Sequence, residues 1–164
     1  MKIELNDTAI CDEILALTAL RSSSRRDNME ETAMLTRDCL PGLRNMVRMM
    51  FADTVVQLHG YVRGCGLDES DPSPSLPYGG DGEMRLMVEL ETGIEPSSGM
   101  ALAMKRTLEH VVASKVLEAV AGAGDHDFAD SLRAQYQVAV EALRHTLDGM
   151  DMECVPPAVA GHRF

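Results

Sequence analysis

Histidines with acidic neighbours are the residues of this chain whose types could bind a metal or move protons. Glu141 and His145 lie four residues apart, a spacing that places both side chains on one face of a helix. Glu109 and His110, on the preceding predicted helix, would extend the pair to four ligands of the kinds that zinc and iron accept. One interpretation is therefore a small helical metal- or ligand-binding enzyme with its site between helices three and four.

Other patterns in the chain favour a protein without catalytic activity. Di-iron bundles repeat Glu-x-x-His on two helices, and that motif does not occur in this sequence. Glu141 and His145 can be an exposed polar pair, an interpretation that needs no further ligand from another helix. The acids at Asp125 and Asp127 suit helix capping. The nucleophile motif G-x-S-x-G is absent, and Gly79–Gly82 lacks the Lys-Ser/Thr of a P-loop. We therefore predict no cofactor.

The charge balance excludes several classes of partner. Acidic residues outnumber basic residues 26 to 15, which gives a net charge of -11. Phosphate contacts need clustered Lys and Arg, so nucleic-acid binding is not expected. No apolar run is long enough to span a bilayer, the first residues lack a signal-peptide pattern, and the four cysteines form no C-x-x-C pair. We expect a cytoplasmic protein with reduced thiols.

Apolar spacing defines the elements that would hold these side chains. Alternation of apolar and polar residues predicts two strands, and three-four spacing predicts four helices. The predicted strands are Met1–Leu5 and Met84–Glu91. The predicted helices run over about Thr8–Ser22, Asp27–Val62 with a break at Arg37–Leu40 and a long second part from Pro41, Gly99–Ala121, and Asp125–Gly149. N-caps are expected at Asn6 or Asp7, at Ser97 or Ser98, and at Asp125 or Asp127.

The predicted fold is mainly α, a four-helix bundle-like domain with a small two-stranded β element in the order β-α-α-β-α-α. Residues 1–150 form one helical domain, interrupted by a mobile, Pro- and Gly-rich loop at 68–82. Residues 151–164 contain Pro156-Pro157 and no periodicity, which indicates an extended or disordered tail. The low aromatic content of 4% and the 12 methionines fit a core of closely packed helices.

The second predicted strand points to self-association. A two-stranded ribbon is marginally stable alone, so it either lies on the helices or pairs its edges with another chain. The second route predicts a homo-oligomer. The interface candidates are Met84, Leu86, Met87, Val88 and Leu90.

The pattern of Ile10–Leu20, Met84–Glu91 and Met100–Leu147 resembles small prophage-encoded proteins of gut Bacteroides-type bacteria. Those proteins are similar in size to phage head–tail connector or neck components. The resemblance implies a non-enzymatic structural protein that takes part in virion assembly, and it implies no particular site residue. The C-terminal residues differ from that group because they lack a strongly basic end.

Overall fold

The computed structural model describes residues 1–24, 35, 37–67, 85–93, 95–122 and 125–152. Within these ranges the chain forms three strands, four helices and one short 3-10 turn. In chain order the elements are β1 (Lys2–Asn6), α1 (Asp7–Ser24), the 3-10 turn (Arg37–Cys39), α2 (Leu40–Gln57), β2 (Val62–Leu67), β3 (Arg85–Leu90), α3 (Ser98–Ala121) and α4 (His126–Met152).

The strands form one antiparallel sheet in the order β1-β3-β2. β3 is the central strand, and Ile3 of β1 lies opposite Val88 of β3. Alternate residues of β1 and β3 face the helices and are buried, as their period of two requires. These buried residues are Ile3, Leu5, Leu86, Val88 and Leu90. The opposite face carries the exposed side chains of Lys2, Glu4 and Glu89.

Helix α3 lies at the centre of the helical layer. It packs against α1, α2 and α4, and it also touches β1. Every residue from Val111 to Leu117 is buried, because a helix that is surrounded by neighbours has no solvent face. The core therefore runs from the covered face of the sheet, through α3, to α4.

Side-chain caps fix where three of the helices begin. Among the predicted alternatives, the capping residues are Asn6, Ser97 and Asp125. The acceptor oxygens and the N–H groups that they bind are Asn6 Oδ1 with Thr8 at 2.8 Å, Ser97 Oγ with Met100 at 3.3 Å, and Asp125 Oδ1 with Phe128 at 3.3 Å. Pro41 stands in the first turn of α2, where its missing N–H costs no helical hydrogen bond.

The prediction of a two-stranded β element was wrong, because β2 adds a third strand and the element order becomes β-α-α-β-β-α-α. Val62 fitted the three-four spacing of the second helix. The helix instead ends at Gln57, and a turn through Gly60 leads into the strand Val62–Leu67. β2 gives β3 a second neighbouring strand inside the chain. The sheet therefore does not need a strand from another chain to escape the marginal stability of a two-stranded ribbon.

Most of the predicted loop and tail lies outside the described residues. Helix α4 continues to Met152, so the segment predicted as a tail from residue 151 begins as helix. The rest of that tail, from 153 to 164, lies outside the described residues. So do the predicted loop at 68–82 and the predicted start of the second helix near residues 27 and 28.

A buried ion pair joins α1 to α2. Arg48 Nη2 lies 3.2 Å from Asp7 Oδ2, and the two side chains are 6% and 0% exposed. Asp7 stands in the first turn of α1, where its charge also opposes the helix dipole. The packing of α1 against α2 thus depends on charge neutralisation as well as on apolar contact.

Replacing Asp7 by Asn should lower the free energy of unfolding by about 3 kcal/mol, because the Arg48 charge stays buried without its counter-charge. Asp12→Asn is the matched control, since Asp12 is exposed on the same helix. Urea unfolding followed by circular dichroism measures both variants. Equal stability of the two variants would contradict a structural role for the buried pair.

Candidate functional site

Two open strand edges are the candidate functional site of the described residues. β3 is bonded on one side to β1 and on the other to β2, so neither of its edges is available. The outer edges of β1 and β2 have no further strand beside them within the described ranges. An open edge presents a row of backbone donors and acceptors that can pair with another chain.

The backbone of β1 alternates between facing β3 and facing outward. Met1 and Leu90 exchange two hydrogen bonds, of 2.6 Å from the Met1 amino group and 2.7 Å from the Leu90 N–H. In an antiparallel ladder such bonded pairs recur at every second residue. The backbone groups of Ile3 and Leu5 therefore point toward β3, and those of Lys2 and Glu4 point away from it.

The edge of β2 is less regular. Its pairing with β3 shifts register between Val62 and Gly64, which is the signature of a β-bulge. Arg63 lies at this shift, and its Nη2 is 2.6 Å from Glu91 Oε1. Bulges twist an edge away from regular pairing, and proteins use them to discourage edge-to-edge contact. β1 is therefore the better candidate for pairing with another chain.

The described interface candidates lie in two different environments. Leu86, Val88 and Leu90 are buried in the core beneath the helices, at 0 to 1% exposure. Met87 is half-buried on the open face of the sheet, opposite Glu4 in the register of β1 with β3. Met84 lies outside the described residues. Of the described candidates, Met87 alone combines partial exposure with the open face.

The four predicted metal ligands have separate surroundings. His110 Nδ1 lies 3.0 Å from Glu13 Oε1 of α1, and Glu109 forms an ion pair with Lys105 at 3.9 Å. Glu141 and His145 are exposed on α4. Among the residues that the structure describes, no three His, Cys, Asp or Glu side chains gather where they could hold a metal ion.

Cys11 is a poor candidate for a nucleophile. Burial, assisted by the neighbouring Asp7, raises the pKa of the Cys11 thiol to about 11. The thiolate is the reactive form of cysteine, so at neutral pH this side chain is an inert part of the core. Cys39 and Cys65 are exposed.

A shallow groove of about 480 Å³ lies between the beginning of α3 and the second half of α4. Its walls are mostly apolar, and they include Met100, Met104 and Leu143. Two threonines at its border bond back to their own helices, Thr107 to Ala103 O at 3.0 Å and Thr146 to Ala142 O at 2.8 Å. The groove offers apolar contact, and none of the four predicted metal ligands lines it.

A buried cation links three helices, and the sequence patterns did not reveal its role. Lys115 of α3 is 4% exposed and forms an ion pair with Asp53 of α2. Its Nζ also lies 5.3 Å from the centre of the Tyr136 ring of α4, within the range of a cation–π interaction. In the sequence Lys115 lies three and four residues after Val112 and Val111, and a Lys on such an apolar stripe is the signal that it needs a buried partner.

Comparisons with protein families, with curated proteins and with solved structures find no match to this chain. Among the described helices, none has both the length and the apolar character needed to cross a membrane. The fold class follows from the structure alone. The protein is mainly helical, with a small three-stranded antiparallel sheet.

The pKa of Glu109 predicts a pH-dependent stability. Burial of the carboxyl raises this pKa above its usual value of 4.5, and Lys105 opposes the shift. The folded protein therefore binds a proton at Glu109 more readily than the unfolded chain, so stability is lost as the pH rises through the folded pKa.

Glu109→Gln should be more stable than the original protein at about pH 7, and the difference should narrow toward about pH 5. Urea unfolding at a series of pH values measures it. Glu141→Gln is the control, because Glu141 is exposed. Stability curves of Glu109→Gln and the original protein that run parallel across this range would contradict the role of burial.

Proposed function

We propose that this chain is a non-enzymatic interaction protein that associates with copies of itself through an open edge of its sheet. The observation that carries the proposal is the outer edge of β1, which has no further strand beside it within the described residues. Pairing such an edge with another chain gains main-chain hydrogen bonds and extends the sheet. The sequence predicts the interface at Met84–Leu90, whose described residues belong to the central strand β3. The proposal places the interface on the neighbouring strand β1 instead.

The setting that we propose is assembly of a phage particle, as a component of the head–tail connector type. The support for this setting is the resemblance of the strand and helix pattern to small prophage-encoded proteins. Such a component needs repeated contacts between identical copies, which sheet-edge pairing can supply. The protein would then act in the host cytosol and in the assembled virion.

The groove between α3 and α4 favours a second candidate function, the binding of a small apolar ligand. Its volume of about 480 Å³ falls within the range of ligand pockets, which are mostly lined by apolar side chains. This candidate keeps the predicted place between helices three and four, with Met100, Met104 and Leu143 in the lining.

Sedimentation velocity over about 1 µM to about 1 mM tests self-association. We expect the average mass to rise from 17.9 kDa toward that of a dimer or a larger assembly. A salt concentration near 0.15 M is suitable, because a Debye length of about 8 Å damps repulsion between whole acidic molecules. A reductant must be present, since Cys39 and Cys65 are exposed thiols.

A monomer at every concentration would contradict the proposal. If that monomer also bound an apolar fluorescent probe with saturation, and if filling the groove by Ala142→Leu abolished the binding, the second candidate would take its place. Ala134→Leu, at an exposed position of the same helix, is the matched control for that substitution.

A further inference from the structure

Glu141 and His145 form an exposed pair on the surface of α4. They lie four residues apart, on one face of the helix, and the described residues contain no hydrogen-bond or ion-pair partner for either side chain. We propose that this pair is half of a zinc site, which the same two residues of a second copy complete. The contact is separate from the β1 edge, so the inference goes beyond the proposed function.

The two side chains offer ligand atoms of the kinds that zinc accepts. Zinc binds His nitrogen and Glu oxygen, and its structural sites are almost always tetrahedral with four ligands. One copy provides two such ligands at this place, and among the described residues no third His, Cys, Asp or Glu side chain joins them. A zinc ion held by one pair alone keeps open positions, and the pair of a second copy can fill them.

The nearest charged side chains of α4 are engaged elsewhere. Arg144, whose charge would repel a metal ion, donates from Nη2 to the carbonyl oxygen of Gln57 at 2.8 Å. Asp148, three residues after His145, accepts a hydrogen bond from the Tyr61 hydroxyl at 2.5 Å. The helix therefore presents a unit of two ligands to the solvent.

The surface beside the pair is suited to contact with another chain. Val138 lies three residues before Glu141, on the same face of α4, and is 67% exposed. Ala142 is also exposed, and its short side chain lets another backbone come close. Covering such apolar atoms favours association, so the metal ligands lie next to a surface that gains from being buried.

The charges on this face make the contact depend on the metal. Each copy has a net charge of -11. A metal ion that two copies share equally lies on their two-fold axis, where the two Glu141 carboxylates meet and, without a cation, repel one another. A divalent ion between them reverses this repulsion, because a bound cation is often the largest local charge in a site. Association through this face therefore needs zinc.

The zinc ion in this arrangement is a structural bridge. A site that four protein ligands close has no open position for a substrate or a reactive water, so it adds no catalytic step. The metal gives a non-enzymatic interaction protein a second contact between copies, which forms only where zinc is available.

Sedimentation velocity and calorimetric titration test the proposal on protein without an affinity tag. The protein is measured at about pH 7.5, because metal ligands must be deprotonated, in EDTA, in zinc chloride and in magnesium chloride. We expect zinc to raise the average mass and to bind at about one ion per two chains. Magnesium should not have this effect, because it prefers oxygen ligands, so it controls for general neutralisation of the acidic molecule.

Substitutions in the pair distinguish this site from other zinc ligands of the chain. His145→Ala and Glu141→Ala should each weaken the zinc-dependent association about tenfold or more, because loss even of a partner outside the ligand shell can cost that much. Glu141→His keeps a zinc ligand at this position and should retain the association. His126→Ala is the matched control, since His126 is exposed on the same helix. Circular dichroism checks that each variant is folded.

The outcomes separate this inference from the proposed function. If the protein associates in EDTA and zinc changes nothing, the proposed function stands and the zinc site is wrong. If the protein is a monomer in EDTA and associates with zinc through the pair, the zinc site stands and association through β1 fails. Zinc-dependent association that His145→Ala and Glu141→Ala leave intact, or zinc bound by a monomer, would overturn the inference.

Discussion

The pairing of β1 with β3 is the interaction on which the rest of this structure depends. It joins the first residue to Leu90 through two short backbone hydrogen bonds, across a separation of 89 residues. Closing so long a loop is costly in chain entropy, and burial of Ile3 and Leu5 against the helices offsets that cost. Once β1 is fixed, α1 must begin directly beside the sheet, because Asn6 ends the strand and caps the helix.

The same pairing determines what the surface can do. β3 uses both of its edges inside the chain, so the strand with the clearest apolar pattern has no edge left for a partner. β1 uses one edge inside the chain, and within the described residues no further strand lies beside the other. The Asp7–Arg48 pair, one residue beyond the strand, anchors α1 to α2 and so holds this edge in place.

Much of the fold could be predicted from local patterns. The alternation in β1 and β3, the caps at Asn6, Ser97 and Asp125, and the start of α2 next to Pro41 follow from the chemistry of a few neighbouring residues. β2 could not be predicted in this way. Its glycines, Gly64 and Gly66, carry no side chains and show no alternation, and Val62 fits a helix as well as a strand. Only pairing with β3, which is distant in the chain, decides between them.

The candidate site was less predictable than the fold, because helical spacing does not tell which helix a given face will meet. Glu109 and His110 lie on a helix that touches three others, and His110 contacts Glu13 of α1 and not the acids of α4. The partners of Lys115 could not be predicted for the same reason, since Asp53 and Tyr136 come from two separate helices. Which backbone groups of β1 point outward depends on its register with β3, a strand that is distant in the chain.

The central claim is that copies of this chain associate through the outer edge of β1, and an isotope-filtered NMR measurement tests it most directly. In a mixture of labelled and unlabelled chains, the backbone protons of β1 should show direct contacts with protons of a second copy. An associated protein whose intermolecular contacts lie elsewhere, with none at β1, would contradict the claim.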